Sequence, residues 1–123
     1  MFLSRKGGLT YVARTDVATY DIDQTTLTLD SAYHAWSLAA IVPASAKVVK
    51  VRVRAANAAT GKHFVLVPHG YVQGFVKMDS SIIVVNLAHE QTGDVPCSGQ
   101  VIDYKGDNVA WVAIGVTVLG WWL

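Results

Sequence analysis

Between Val49 and Arg54 the chain alternates strictly, with Val49, Val51 and Val53 separated by Lys50, Arg52 and Arg54. A period of two belongs to an extended strand with one face on a core and the other in solvent. Thr25 to Leu29 alternates in the same way, Leu27 and Leu29 against Thr26 and Thr28, and predicts a second half-buried strand. His63 to Val67 and Ser81 to Ala88 are short continuous apolar runs rich in Val and Ile, the pattern of central strands covered on both faces. Val109 to Leu123 carries no charge. It is shorter than the roughly 20 residues of a membrane-spanning helix. Its Val, Ile and Trp content, broken by Gly115 and Gly120, predicts a buried strand with an aromatic end.

Turn chemistry separates these runs at Asn57 to Gly61, Pro68-His69-Gly70, Met78-Asp79-Ser80, Gly93-Asp94 and Lys105 to Asn108. Ala32 to Ala46 is the nearest approach to a helical pattern, and Pro43 restricts it to a short turn at most. The expected fold is therefore all-β: a single domain over residues 1–123, an antiparallel β-sandwich of about seven to eight strands, jelly-roll-like. A chain of 123 residues is long enough to bury a core without disulfides or metals. Cys97 is the sole cysteine, so no intrachain disulfide forms, and Cys97 is expected to be dispensable for assembly.

Composition then narrows the classes of function. Ten basic residues against nine acidic ones leave a formal charge of +1, with no global field to recruit nucleic acid or an anionic membrane. Only 15% of residues are charged while 52% are hydrophobic, against about 25% charged in an ordinary soluble domain. So apolar a chain is expected to bury part of its surface in a homo-oligomer. The charge-free strand at Val109 to Leu123, if left as a bare edge, would aggregate and must be paired or covered. Met1 to Gly8 lacks the apolar h-region of a signal peptide, so export by that route is not expected.

Motifs for chemistry are sparse. Gly61-Lys62 fails as a phosphate loop because Ala56 stands where the first Gly is needed and His63 where Ser or Thr is needed. His34, His63, His69 and His89 are scattered without the close spacing of zinc ligands, and read as surface or loop residues. Cys97-Ser98-Gly99 has no nucleophile elbow around it, and a small buried thiol is the simpler reading. Asp21 and Asp23 would share a strand face, where Asp16 or Asp30 could join them around calcium, against a reading as solvated strand-end acids. The row Lys50, Arg52, Arg54 could grip phosphates, or be the charged solvent face of one strand. No metal, no cofactor and no catalysis are expected. Trp121 and Trp122 imply an ordered end of the chain, serving as core, subunit contact or ligand platform.

Trp36-Ser37-Leu38, the run from Ile41 through Pro43-Ala44-Ser45-Ala46-Lys47 to the alternating Val49 to Val53, and the closing Gly120-Trp121-Trp122 together resemble small β-sandwich modules of tailed-bacteriophage virions, found as fibre domains or head decorations. In that pattern a Trp-bearing strand leads through a Pro-containing turn to the Val/Arg strand, and a Gly-Trp-Trp strand closes the chain. The resemblance implies a non-enzymatic virion component, made in the host cytoplasm, that forms a homotrimer and contacts capsid or tail proteins. The absence of a repetitive shaft favours a head or tail accessory over a full fibre. Val109, Trp111, Val118, Trp121 and Trp122 are the expected subunit contacts. The alternative is a carbohydrate-binding module with Trp36, Trp121 or Trp122 as the sugar platform, for instance for a host-surface glycan.

Overall fold

The structure, a computed structural model, describes residues 3–6, 8–71 and 78–123. Met1, Phe2 and Gly7, from the stretch read against a signal peptide, lie outside the described residues. Among the described residues there are ten strands and no helix: β1 (Leu3–Lys6), β2 (Leu9–Ala13), β3 (Ile22–Asp23), β4 (His34–Ser37), β5 (Val48–Asn57), β6 (His63–Pro68), β7 (Met78–Ser81), β8 (His89–Pro96), β9 (Val101–Gly106) and β10 (Trp111–Trp122). They form two antiparallel sheets, β1-β2-β10-β5-β8 with β3 also paired to β10, and β4-β9-β6-β7. The pairs β2–β10, β4–β9, β5–β8 and β6–β7 nest inside one another along the chain. Nested antiparallel pairs distributed over two sheets make a jelly roll, as the sequence pattern predicts. The additional strands are β1 and the two-residue β3.

The alternation of β5 sets the sandwich. Val49, Val51 and Val53 are fully buried, and on β10 the register places Val118 beside Val51, Val116 beside Val53 and Ile114 beside Ala55. Burying a Val or Ile side chain fully stabilises by about 1.5–3 kcal/mol. The opposite sheet contributes Phe64 and Leu66 from β6 and Ile102 and Tyr104 from β9 to the same core, and Leu38 and Val42 join it from the loop after β4. The outer face of the first sheet carries Lys50, Arg52 and Arg54, opposite Asp94, Thr92 and Glu90 of β8.

Several local expectations are corrected. Residues 25–29 are not a strand: a turn at 24–26 leads into irregular chain. Asp23 Oδ1 accepts from both the N–H and the hydroxyl of Thr25, at 2.9 and 2.6 Å, and this side-chain bonding outcompetes a sheet ladder. Leu27 and Leu29 still pack on the core from that segment. Residues 78–80, read as a turn, lie in β7, and Gly93-Asp94 lie within β8. Gly93 leaves room for Met78: a Cβ at Gly93 would sit 3.1 Å from the Met78 sulfur. Of residues 81–88, read as a buried central strand, only Ser81 is in a strand. The charge-free strand β10 is no bare edge, since β5 pairs on one side and β2 and β3 on the other. It needs no second subunit to cover it.

Candidate interaction surfaces

The tryptophans separate by strand parity. Trp121 is in register with the buried Val49 and packs against the core, as do Trp36 and Val109. Trp111 and Val118 are buried outright, and Trp111 Nε1 donates to the Asp107 carbonyl at 3.0 Å. Of the expected subunit contacts, Trp111 and Val118 lie in the chain's own core. Of the expected sugar platforms, Trp36 and Trp121 are partly buried with one side packed on the core. Sequence alone does not reveal this, because a β-bulge between Val118 and Gly120 resets which of the last residues face inward.

Trp122 faces the other way. Its ring packs on Tyr11 with centroids 4.6 Å apart and planes at 50°, and Lys50 Nζ lies 5.9 Å from the Tyr11 centroid. Tyr11 can cross β10 closely because residue 120 is Gly: a Cβ there would collide with the Tyr11 ring and hydroxyl. Burial, and secondarily the negative charge of Asp94, raise the Tyr11 phenol above its ordinary pKa.

The sequence reading missed the most exposed apolar surface. Ile83, Val84, Val85 and Leu87, in the loop between β7 and β8, are 75, 48, 46 and 54% exposed. The loop is anchored at both ends. Ile82 is buried and exchanges backbone hydrogen bonds with the turn before β6, Gly61 N to Ile82 O and Ile82 N to Lys62 O, both 2.9 Å. Asn86 adopts φ 55°, a left-handed conformation that Asn tolerates, and its N–H donates to the Asn57 carbonyl at 2.8 Å. Asn57 is buried, donates through Nδ2 to the Ala110 carbonyl at 3.2 Å and accepts from Ala59 N at 3.0 Å. It thereby ties this loop to Ala110, just before β10, and Val112 protrudes near the start of β10, 54% exposed, at a second register shift. The available signal in the sequence was the missing alternation of residues 82–88, which fits exposure as readily as double burial.

Asp21, Asp23, Asp30, His63, His69 and Cys97 are committed to local structure. The Asp21 carboxylate receives Arg14 Nη1 at 2.9 and 2.7 Å and Val118 N at 2.7 Å, while Asp23 serves its turn. The hydrogen bonds from Thr25 lower the Asp23 pKa, and those from His34 and the Ala32 N–H lower that of Asp30. Asp21 and Asp23 therefore do not converge as a calcium pair, and no group of three or more potential metal ligands occurs among the described residues. His63 Nδ1 lies 2.9 Å from both Asp79 Oδ1 and Ser81 Oγ. Serine and carboxylate thus approach one ring nitrogen, whereas a catalytic relay needs them on opposite nitrogens. His69 Nδ1 lies 2.7 Å from Asp103, which also accepts from Gly70 N at 2.9 Å, closing the loop after β6. The Cys97 thiol donates to the Ala46 carbonyl at 3.2 Å, and burial raises its pKa.

No helix among the described residues is long and apolar enough to cross a membrane. No protein-family model matches the chain, and no curated protein matches it.

Proposed function

We propose that this chain is a non-enzymatic structural component of a bacteriophage virion, acting through self-assembly and contacts with neighbouring capsid or tail proteins. The observation that carries this reading is the apolar end formed by Ile83, Val84, Val85, Leu87 and Val112, held in place by buried Asn57. Exposed apolar side chains clustered on an anchored loop, as at Ile83, Val84, Val85 and Leu87, mark a contact surface. The partner we assign to it is another copy of this chain, with a trimer as the state implied by the resemblance to virion modules. A closed ring covers the same patch on every subunit. The jelly roll is compatible, being a common architecture of viral capsid and lectin domains, but a fold alone does not select a function.

The contact predicted at β10 thereby moves to the loop between β7 and β8. Light scattering on the purified protein tests it. Oligomers that shrink when Ile83, Val85 and Leu87 are all changed to Ser support the reading, and a monodisperse monomer of the unmodified chain overturns it.

The alternative, a carbohydrate-binding module, is favoured by Trp122, which lies on the outer face of the first sheet with Tyr11 and Lys50. A glycan array probes it through the loss of any signal in Trp122→Ala.

A further inference from the structure

A depression of about 490 Å³ lies on the solvent face of the first sheet, lined by Ala18, Thr19, Tyr20, Arg52, Arg54 and Glu90. We propose that it binds a sugar acid, a pyranose ring bearing one carboxylate, as in the acidic residue of a glycan. The proposal stands on residues separate from the apolar end and from Trp122, and does not depend on the assembly reading.

One wall of the depression is pre-organised. The segment 14–21 crosses the outer face of β10 and is fastened there at several points. Asp21 N donates to the Val116 carbonyl at 2.8 Å, and the Asp21 carboxylate holds both Arg14 and the Val118 N–H. Thr117 Oγ donates to the Thr19 carbonyl at 3.3 Å, and Arg52 Nη2 to the Val17 carbonyl at 3.1 Å. These bonds leave the Tyr20 ring lying over Gly115, where any side chain would collide with it, and nearly half exposed. An exposed ring with a fixed seat is a platform for the C–H face of a sugar.

The charges select the class of ligand. Arg54 is exposed and has no hydrogen-bond or ion-pair partner among the described residues, so its planar fork is available to grip a carboxylate with two bonds. Arg52 is partly neutralised by Glu90, Nε to Oε1 at 3.5 Å. Two guanidinium groups and one carboxylate leave a single net positive charge, matched by a single carboxylate. The half-exposed Glu90 can accept from sugar hydroxyls, and it repels a dianion or a run of acidic side chains. A phosphate or an acidic peptide fits this lining less well than a hydroxylated monocarboxylate.

Chemical-shift titration of the ¹⁵N-labelled full chain with glucuronate tests the proposal, with glucose, inorganic sulfate and a glutamate-rich peptide as comparisons. Glucuronate should move the signals of Thr19, Tyr20, Arg54, Glu90 and Gly115 and bind more tightly than the other three. Arg54→Gln should weaken it by about tenfold or more, the loss of one charge-assisted hydrogen-bonded pair. Tyr20→Ala should weaken it while Tyr20→Phe retains it, and the unchanged melting temperature of Arg54→Gln separates binding from folding. No binding of glucuronate, equal binding of glucose, or indifference to Arg54→Gln would overturn the site. Sulfate or the peptide binding as tightly as glucuronate would overturn the sugar-acid assignment.

Discussion

Phe64-Val65-Leu66-Val67 and Ile83-Val84-Val85 look alike on paper, each a short apolar run without a charge. In the structure they are opposites. The first is the middle of β6, paired with β7 on one side and β9 on the other, and every one of its side chains is buried. The second is a loop with no ladder partner and apolar side chains held out in solvent. Apolarity drives burial only where the topology supplies neighbours on both sides. Here the chain leaves β7 at the edge of one sheet and joins β8 at the edge of the other, and the connection passes round an end of the sandwich. An apolar run in such a place becomes a surface, and the anchoring by Asn57 shows how that surface is kept in shape.

The largest expected consequence of this contrast is at β6. Phe64→Ala should cost about 3–5 kcal/mol, since it empties a fully enclosed site between the sheets. Urea unfolding measures it, and a loss under 1 kcal/mol would mean that the core packs differently. Asn57→Ala comes next, at about 1–3 kcal/mol, because it strands the Ala110 carbonyl and the Ala59 N–H at the base of the apolar end. Faster amide exchange at Asn86 than elsewhere in the variant would locate the damage there.

Substituting Ser at Ile83, Val85 or Leu87 should change monomer stability by no more than about 0.5 kcal/mol each, the range of exposed positions. The measurement belongs at a dilution where assemblies have dissociated. A large loss would show the loop to be packed after all. The smallest effect is kinetic and concerns a loop side chain turned inward. Cys97 has its pKa raised by burial, so less of it is thiolate at neutral pH than of a free cysteine. Alkylation by iodoacetamide at pH 7.5 should be slower than for glutathione and should accelerate as pH rises through the elevated pKa. Cys97→Ser should leave assembly intact. Labelling faster than glutathione would show that the thiol is not held against the Ala46 carbonyl.

Local chemistry along the chain was enough to determine the all-β class, the strand at Val49 to Arg54 with its inward valines and outward basic residues, and the strand that ends in tryptophans. Each depends on a period of two or on residue types that disfavour helix, and both are properties of neighbours in sequence. Nothing local distinguishes a run buried on two faces from one exposed on an end loop, or a Gly that makes room for Met78 from a Gly that turns the chain. Nor does it show that a bulge after Val118 sends Trp121 inward and Trp122 outward. The depression around Tyr20 is further still from the sequence. It joins residues 18–20, 52, 54 and 90, from three segments that meet only because β5 pairs with β8 and the segment after β2 lies across β10. Strand pairing between distant segments decides those questions, and only the tertiary structure holds it.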